Sequence, residues 1–437
     1  MARIFNVQKN VNPHFKSVWK SQKPYNILKG GRNSFKSSVI ALLLVYKMLQ
    51  FTSNGNQANV VVIRKVGNTI RDSVYNKIQW ALGEMMFGVM NQFNPTVSPF
   101  KIVHKRTGST FYFYGQDDFQ KLKSNDIGNI IAVWYEEAAE FKNAEEFDQS
   151  NVTFMRQKRA DVPFVQFFWS YNPPRNPYSW INEWAEQMKT QIDYLVHESS
   201  YLDDSLGFVT EQMLKDINRI KENDYDYYRY LYLGEAVGLG ANVYNMNCFH
   251  PLNEIPGDDK LLGIAFGLDT GHQQSATACC AFAITAKDKV ILLDTFYYSP
   301  HGKAVKKAPS ELSVMLHEFT NKVVDEYKVP IIKMTIDSAE GALRNQYLHD
   351  FGIRWHPVAK LKNQTMIDTV TSLLAEGRFF YLDNEANKIF IDEHKTYRYD
   401  EKTLHTDEPK VVKEDDHTCD AFKYFVLDNA KLLELKV

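Results

Sequence analysis

The chain has 437 residues, of which 44% are hydrophobic and 24% are charged, a composition typical of a globular protein large enough for two cores. The formal net charge of −2 excludes a strongly basic protein that attracts nucleic acid by its overall field. Four cysteines without the spacing of a disulfide framework or a zinc site indicate a reducing compartment.

Two segments show whether the sequence contains a secretory signal or a membrane-spanning helix, namely the amino-terminal end and the most apolar run. The first ten residues lack the apolar core of a secretory signal. The apolar run over residues 39–51 contains Lys47 and is too short to cross a bilayer. We therefore expect a protein that is not secreted and has no membrane partner.

The first motif in chain order is a glycine-rich loop between a predicted strand, residues 25–28, and a predicted helix, residues 39–51. Its sequence, Gly-Gly-Arg-Asn-Ser-Phe-Lys-Ser, is similar to the Walker A pattern of a glycine, four residues and then Gly-Lys-Ser or Gly-Lys-Thr. Phe35 replaces the second glycine of that pattern. A glycine-rich turn that caps a core helix is the alternative interpretation.

The physical chemistry of such a loop suits a nucleoside triphosphate. Backbone N–H groups of the loop and of the following helix N-terminus point at phosphate oxygens. Lys36 would reach the β and γ phosphates, and Ser37 would ligate Mg²⁺. We therefore predict a site for ATP and Mg²⁺, and the candidate nucleotide-binding residues of the loop are Gly30, Gly31, Arg32, Asn33, Ser34, Lys36, Ser37 and Ser38.

An apolar run over residues 130–135 predicts a buried strand that ends in two acids. Acids at the carboxyl end of such a strand form the Walker B arrangement. Glu136 would lie near the Mg²⁺ ion as a ligand, and Glu137 would orient and activate the attacking water. The alternative is that both acids open a helix over residues 138–143, where the helix dipole favours negative charge.

Two more predicted strands, residues 59–63 and 164–169, belong to the same sheet. The second leads into the sequence Ser-Tyr-Asn-Pro-Pro. Because ligands lie at the carboxyl ends of parallel strands, Ser170 and Asn172 are expected beside the γ-phosphate.

Taken in this order, the three motifs resemble those of the large terminase subunit of tailed bacteriophages, in the branch found in long-tailed phages of Bacillus. The resemblance covers nearly the whole chain and implies an ATP-driven DNA-packaging motor joined to a nuclease. It implies that Arg32 stabilises the transferring phosphoryl group, and that Ser170 and Asn172 couple hydrolysis to movement. Asn33 and Phe35 depart from the small residues usual in the family's loop.

The resemblance also implies partners and a location. Double-stranded DNA would be the substrate, and the small terminase subunit and the portal protein of the procapsid would be partners. A homo-oligomeric ring on the portal is expected, with a monomer in solution as the alternative. The protein would act in the host cell cytoplasm and transiently on the procapsid.

The carboxyl half places acids at the ends of predicted strands and at the start of the last predicted helix. Asp269 and Asp337 end strands, and Asp420 lies with His417 in the segment that opens the helix. Three antiparallel strands followed by a parallel one suggest a ribonuclease H-like fold, and the strands expected are residues 263–269, 276–284, 290–297 and 333–336.

These residue types suit phosphodiester hydrolysis by two Mg²⁺ or Mn²⁺ ions, which bind hard oxygen ligands and lie about 3.5–4 Å apart. Asp269, Asp337 and Asp420 are the candidate metal ligands. His417 and Asp420 are three residues apart and share a helix face, so His417 is a candidate ligand or proton carrier. A capping or surface histidine is the alternative.

The predicted fold class is α/β. Glycine and proline residues between positions 234 and 263 indicate a linker. The predicted division is a P-loop ATPase domain of the RecA or ASCE type over residues 1–195, a lid subdomain over 196–236, a linker over 237–262 and a ribonuclease H-like nuclease domain over 263–437. The lid is expected to be one helix over residues 210–232, whose tyrosines pack in a core rather than stack on bases. The other expected elements are helices 342–350, 364–375 and 384–396, strands 353–358 and 378–382, and a β-hairpin over 397–413.

Basic pairs are the candidates for local DNA contact, although a solvated surface is the more common role of such pairs. They are Lys105-Arg106, Lys121 with Lys123, Arg156 with Lys158-Arg159, and Lys360 with Lys362. The arginines that are candidates to act between subunits are Arg64, Arg156 and Arg159.

Two other functions stay open from the residues. A helicase-like or recombination ATPase with a resolvase-type nuclease predicts further helicase motifs and a second RecA-like core, neither of which the sequence shows. A non-catalytic DNA-binding assembly protein with a decayed phosphate loop is supported only by Phe35, whereas the retained lysine, serine and acid pair argue for an enzyme.

Overall fold

The computed structural model describes residues 6–85, 89–116, 127–271, 275–301 and 307–436. The chain divides into two compact units, the first made of Met1–Ile217 and Asp226–Gly238 and the second of Asn218–Tyr225 and Leu239–Val437. The finer division into motor, lid, linker and nuclease stays a prediction.

The first unit is organised by an eight-stranded sheet. Its strands are β1 (Tyr25–Gly30), β2 (Asn59–Arg64), β3 (Phe93–Val97), β4 (Phe100–His104), β5 (Thr110–Gly115), β6 (Ile130–Glu136), β7 (Gln166–Tyr171) and β8 (Tyr194–Ser199). Their order is β3-β4-β5-β2-β6-β7-β1-β8, and all neighbours from β5 to β8 run parallel. Because β7 lies between β1 and β6, the segments that follow these three strands meet at one edge of the sheet.

Strands β2, β6 and β7 are buried at every position, as expected for apolar strands covered on both faces. The described helices of eight or more residues in this part of the chain are α1 (Lys36–Ser53), α2 (Asn76–Met85), α3 (Glu145–Arg156), α4 (Trp180–Met188) and α5 (Glu211–Asn223), and residues 218–223 of α5 belong to the second unit. Helix α1 follows the phosphate loop and buries its apolar run from residue 39 to residue 45 without a break, so the loop is attached to the centre of the core.

Two predicted elements near the sheet edge differ from the structure. The helix that the alternative interpretation of the acid pair places over residues 138–143 is a single 3₁₀ turn, Ala138–Glu140, because Glu137 before it is left-handed and Phe141 after it is extended. Strand β7 begins and ends two residues later than predicted, so Ser170 lies inside the strand rather than after it.

The single lid helix expected over residues 210–232 is also wrong. Helix α5 ends at Asn223, whose side-chain amide donates to two backbone carbonyls at 2.9 and 3.0 Å. These carbonyls belong to Leu374 and Ala375, so a tertiary contact and not a local pattern marks this helix end. A short helix, Tyr225–Tyr228, and a π-helical turn, Arg229–Leu233, follow. The tyrosines of this segment that the core buries are Tyr227, Tyr228 and Tyr232.

The second unit contains a seven-stranded sheet. Its strands are β9 (His250–Leu252), β10 (Leu261–Asp269), β11 (Thr277–Thr285), β12 (Val290–Tyr298), β13 (Ile331–Ile336), β14 (His356–Pro357) and β15 (Phe379–Leu382). Their order is β14-β13-β10-β11-β12-β15-β9. Strands β10, β11 and β12 are antiparallel neighbours and β13 runs parallel to β10, which confirms the predicted ribonuclease H-like arrangement.

The helices of the second unit are α6 (Pro309–Tyr327), α7 (Ala342–Phe351), α8 (Asn363–Ala375), α9 (Lys388–Thr396) and α10 (His417–Asp428). Helix α10 lies closely against β10, because a Cβ atom on Gly267 would lie 2.3 Å from the carbonyl oxygen of Ala421. The glycine lets the helix that carries His417 and Asp420 approach the strand that ends at Asp269. Within the described residues, none of the helices combines the length and apolarity needed to span a membrane.

Three expectations for the second unit are corrected. The strand over residues 353–358 is reduced to two residues, and the helix over 384–396 begins at Lys388. The hairpin over 397–413 is replaced by a 3₁₀ turn, Glu401–Thr403, and one bridge between Tyr399 and Val411. The Asp400 side chain accepts the backbone N–H of Lys402 and so favours a turn there.

The phosphate loop lies between two other segments of the first unit. A Cβ atom on Gly30 would lie 1.9 Å from the carbonyl oxygen of Ser199, and one on Gly31 would lie 2.0 Å from that of Tyr232. Both glycines are therefore required by close backbone packing, before any ligand is considered.

We predict that Gly31→Ala destabilises the first unit by about 1–3 kcal/mol, because the new methyl group must displace backbone. Gly83→Ala is the control, since Gly83 lies in α2 with nothing within 4 Å of an added Cβ atom. This control should stabilise the helix by about 0.5–1 kcal/mol. Denaturant unfolding followed by tryptophan fluorescence measures both changes, because six of the seven tryptophans belong to the first unit. Equal stability of the two variants would contradict the packing argument.

Candidate active sites

Backbone geometry of the phosphate loop explains how it accommodates Phe35. This residue precedes α1 with φ 66°, and Asn33 in the same loop has φ 59°. Glycine adopts such a conformation freely, whereas another residue type pays roughly 1–2 kcal/mol. The ring of Phe35 offsets this cost by packing on the apolar core and lying 5.9 Å from the ring of Phe208. The loop therefore keeps a Walker-like backbone without its second glycine.

The loop is closed around its own lysine. The ammonium of Lys36 is buried and donates to the carbonyl oxygens of Gly30 at 2.8 Å and Gly31 at 3.1 Å. It also donates to Ser34 Oγ at 2.8 Å and to Asn172 Oδ1 at 2.9 Å. The structure thus brings together a loop residue and a strand-end residue that are 136 positions apart in the chain.

Burial lowers the pKa of Lys36 to about 8, although the negative charges of Glu137 and Glu136 oppose the shift. An ammonium in this environment needs acceptors, and here they are the carbonyl oxygens of Gly30 and Gly31, the Ser34 hydroxyl and the Asn172 amide oxygen. Phosphate oxygens are stronger acceptors because they carry charge. The lysine is therefore placed to exchange backbone oxygens for phosphate oxygens.

Glu136 ends β6 and forms a buried ion pair that the sequence analysis missed. Its Oε2 lies 3.0 Å from Nη1 of Arg64, whose Nη2 donates to Glu140 at 3.0 Å. Burial raises the pKa of Glu136 to about 7, with the charge of Glu137 adding to the rise and that of Arg64 opposing it. One feature could have indicated this ion pair, because Arg64 is a charged residue that ends the strand next to β6.

Glu137 differs from its neighbour in both conformation and contacts. It has φ 53° and ψ 51°, a left-handed conformation that is costly for glutamate. Its side chain is half-buried and has no hydrogen-bond partner among the described residues. A strained acid with free carboxylate oxygens beside the phosphate loop is suited to hold a water molecule.

The remaining predicted motor residues are placed as follows. Ser170 is buried, lies opposite Glu136 in the β6–β7 register and accepts a hydrogen bond from Trp134 Nε1 at 2.9 Å. The backbone N–H of Arg32 donates to Leu231 at 2.7 Å, and its side chain is half-buried. The half-buried serines at the start of α1 are Ser37 and Ser38.

Several basic residues proposed for DNA or intersubunit contact are engaged within the first unit. Arg64 forms ion pairs with Glu136 and Glu140, as described above. Arg159 pairs with Asp161 at 2.6 Å, and Arg106 donates to the carbonyl of Thr52 at 2.6 Å. Arg156 is exposed, and Lys121 and Lys123 lie outside the described residues.

Asp269 and His417 form the centre of the candidate nuclease site. Asp269 ends β10, His417 opens α10, and His417 Nδ1 lies 2.8 Å from Asp269 Oδ2. The Ala276 N–H donates to Nε2 at 3.3 Å, so Nδ1 carries the proton that Asp269 accepts. Burial alone would lower the pKa of His417, but the hydrogen bond to Asp269 raises it.

Asp420 lies one helical turn after His417 and is held by two lysines. Its Oδ1 is 2.6 Å from Nζ of Lys423, and its Oδ2 is 3.2 Å from Nζ of Lys413. Burial alone would raise the pKa of Asp420, but these two positive charges lower it. The two lysines therefore favour the ionised form of this carboxylate.

Asp337 directly follows β13 and has a different set of contacts. Its Oδ2 lies 2.6 Å from Nζ of Lys360 and 3.4 Å from the hydroxyl of Tyr424. Its Oδ1 accepts the backbone N–H of Ala339 at 2.9 Å. Burial raises the pKa of Asp269, and the negative charges of Asp420 and Asp337 raise it further. The three carboxylates therefore interact electrostatically.

The donor chemistry of the three carboxylates fits divalent cations, which prefer hard oxygen ligands. In the part of the chain that the structure describes, however, no three acid, histidine or cysteine side chains stand together closely enough to hold a metal ion. Lysine ammonium groups lie at Asp420 and at Oδ2 of Asp337, and His417 lies at Oδ2 of Asp269. A divalent cation bound here would share or replace these contacts.

Glu393, on α9, fixes the start of the helix that carries the site and was missed by the sequence analysis. It is buried, and its Oε2 accepts both the backbone N–H and the hydroxyl of Thr418 at 2.6 Å. Its Oε1 accepts the hydroxyl of Tyr297 at 2.8 Å. No local pattern reveals this role, because the three residues belong to separate elements.

Comparisons with known proteins point in one direction. Residues 22–235 match the family described as phage terminase large subunit, and residues 269–428 match the family described as terminase RNAseH like domain. The large terminase subunit of Bacillus phage SPP1 is 25% identical over 425 residues, which cover 94% of each chain. The PBSX phage terminase large subunit of Bacillus subtilis strain 168 is 25% identical over 459 residues, covering 98% of this chain and 96% of the relative.

A solved structure has the same fold. The large terminase of a thermophilic bacteriophage superimposes with a TM-score of 0.75 at 18% identity, covering 96% of this chain and 99% of that chain. The same phage protein has been solved in complex with ATP-gamma-S, and that structure superimposes with a TM-score of 0.70.

We predict that ATP binds more weakly as the pH rises above 8. Phosphates need the charged form of Lys36, and a pKa of about 8 means that the free protein loses this proton in mildly alkaline solution. The dissociation constant should rise by up to about tenfold per pH unit beyond that value, because binding must then take up a proton. Calorimetric titration between about pH 7 and pH 9.5 measures this. Lys36→Arg, which stays charged, should show a flat profile, and a flat wild-type profile would contradict the prediction.

Proposed function

The chain belongs to the phage terminase large subunit family, and from this premise we propose that ATP hydrolysis in its first unit drives double-stranded DNA into a procapsid. As a member of the family it is an ATPase and a nuclease, with a ribonuclease H-like domain in the carboxyl half. The nuclease would cut concatemeric DNA when packaging starts and when it ends. The partners would be the small terminase subunit and the portal protein, with a ring of this chain on the portal, in the host cell cytoplasm.

In the motor site, we assign the loop from Gly30 to Ser38 to the phosphates of ATP. Lys36 would bind the β and γ phosphates, and Arg32 would stabilise the transferring phosphoryl group. Ser37 and Glu136 would hold Mg²⁺, which neutralises phosphate charge when it is bound. Glu137 would accept a hydrogen bond from the attacking water and so orient it.

The observation that carries the motor assignment is the contact between Lys36 and Asn172. ATP would draw the ammonium away from the amide oxygen, because charged phosphate oxygens are better acceptors. Asn172 would then lose its partner and could reorient, together with the proline-rich segment that follows it. Ser170 is fixed by Trp134 and would stay in place while the segment after it moves.

In the nuclease site, Asp269, Asp337 and Asp420 would hold two Mg²⁺ or Mn²⁺ ions, which activate a water molecule and stabilise charge on the scissile phosphate. His417 would orient Asp269 through its Nδ1 proton. Glu393 would set the position of α10 and therefore of both His417 and Asp420. DNA backbone contacts position a strand without reading its sequence, so little base preference is expected.

The alternatives have less support. The helicase-like hypothesis requires a second RecA-like core, whereas the second sheet has the ribonuclease H-like order. The assembly-protein hypothesis depends on a decayed loop, whereas Phe35 preserves the left-handed backbone of that position.

The motor assignment predicts that Glu137→Gln binds ATP with near wild-type affinity but hydrolyses it about 10²–10⁴-fold more slowly, because the amide cannot accept the water proton. Steady-state hydrolysis in the presence of DNA and procapsids, together with titration of a fluorescent ATP analogue, separates the two quantities. Glu145→Gln is the matched control, because Glu145 is an exposed acid in the first turn of α3. Undiminished hydrolysis by Glu137→Gln would remove this residue from the mechanism.

The nuclease assignment predicts that the full chain nicks and cuts supercoiled plasmid with Mn²⁺ or Mg²⁺ and not with EDTA. Asp337→Asn should lose at least about 100-fold of this activity while keeping its fold, since it removes one charged ligand and preserves the side-chain shape. Asp392→Asn is the control, because Asp392 is exposed on α9 and pairs only with Lys395 among the described residues. Equal cleavage by the two variants would show that the proposed metal site is wrong.

A further inference from the structure

The lysines at the nuclease carboxylates differ in how firmly they are held. Lys423 is almost fully buried, with 1% of its side chain exposed, and its ammonium also donates to Tyr397 at 2.7 Å and Asn363 at 2.8 Å. Moving it would leave a buried charge without partners, so it is a permanent part of the site. Its role is to orient Asp420.

Lys360 has the opposite character. Its side chain is 36% exposed, and its ammonium lies 2.6 Å from Asp337 Oδ2 and 4.9 Å from the ring centre of Tyr424. The described structure gives it no further hydrogen-bond partner. Water can replace these contacts when the side chain rotates outward, so the lysine can leave at small cost.

The backbone around Lys360 is fixed, which keeps the lysine near the site when its side chain moves. Two residues earlier, buried Val358 donates its N–H to the carbonyl of Ile336, at the end of β13. Three residues later, Asn363 begins α8 and accepts a hydrogen bond from Lys423. A side-chain rotation can therefore release Asp337 without rearranging the loop.

We propose that Lys360 is an internal counter-ion that a divalent cation displaces from Asp337, and that the released ammonium then binds a phosphate of the DNA. This inference rests on the proposed nuclease site. An ammonium ion and a divalent cation bound at the same carboxylate oxygen repel each other, so Lys360 competes with the metal. DNA removes the competitor by giving it a new partner, and by thermodynamic reciprocity the metal strengthens DNA binding equally.

The functional consequence is that metal loading depends on DNA. Without DNA, the lysine occupies Asp337 and lowers the affinity of the site for metal. With DNA bound, Asp337 would bind the divalent cation and the ammonium of Lys360 would bind a DNA phosphate. The nuclease would therefore assemble fully only where a phosphodiester backbone is present, which limits metal-dependent damage to other molecules.

The first experiment titrates Mn²⁺ into the nucleotide-free full chain by calorimetry, and Asp337→Asn identifies the isotherm that belongs to this site. Lys360→Met keeps the apolar stem and should bind Mn²⁺ about fivefold more tightly than wild type, the ratio expected for the loss of one partly exposed ion pair. Lys360→Arg keeps the charge and should stay near wild type. Lys362→Met is the matched control, because Lys362 is 84% exposed and pairs with Glu408, and it should not change Mn²⁺ affinity.

The outcomes separate the two proposals. If Asp337→Asn leaves Mn²⁺ binding unchanged, the proposed nuclease site is wrong. If Asp337→Asn removes a binding event but Lys360→Met binds Mn²⁺ no more tightly than wild type, the exchange is overturned and the nuclease site stands. Thermal melting of each variant checks that its fold is intact.

The second experiment measures DNA affinity by anisotropy of a labelled duplex of about 20 base pairs, in EDTA and in Ca²⁺, a hard cation that carboxylates bind. In EDTA, Lys360→Met should bind DNA like wild type, because in the wild-type protein the ammonium of Lys360 is then paired with Asp337 and does not contact DNA. In Ca²⁺, the same variant should bind DNA several-fold more weakly than wild type. A simple basic patch would instead make Lys360→Met and Lys362→Met equally weak under both conditions, and that result would overturn the proposal.

Discussion

A charge that is buried away from water requires a partner, and both active sites of this protein are organised by that constraint. In the first unit, the ammonium of Lys36 is satisfied by carbonyl and amide oxygens, and Glu136 is paired with Arg64. In the second unit, lysines compensate the carboxylates of Asp337 and Asp420. In the proposed mechanisms, ligand atoms would replace some of these internal partners.

In the proposed mechanisms, each ligand would free one side chain to move. A phosphate that binds Lys36 would release Asn172, and a cation that binds Asp337 would release Lys360. Other segments pack closely on the phosphate loop. An added Cβ atom on Gly31 would lie 2.0 Å from the carbonyl oxygen of Tyr232, so the loop lies directly against the tyrosine-rich segment. Phe35 packs against the apolar core.

Local patterns determined a large share of this protein. The glycine-rich loop before an apolar helix, the acid pair after an apolar strand and the acids at later strand ends placed most candidate residues correctly on their elements. The ribonuclease H-like strand order also followed from the sequence, because buried strands are continuous apolar runs that are easily recognised. Errors fell where the signal is weak, as at the lid helix, which ends at Asn223, and at the hairpin expected over residues 397–413.

The sequence by itself thus determined the fold class, the order of the motifs and the chemical types available at each site. Only the tertiary structure decided which charges meet. The pairs of Lys36 with Asn172, Arg64 with Glu136 and Lys360 with Asp337 join residues on different segments, and no local pattern shows which partner each lysine or arginine meets. The physical reason is that ion pairing depends on distance and burial, which only the packed chain defines. Strands and helices depend instead on the periodicity of apolar residues, which can be read directly from the sequence.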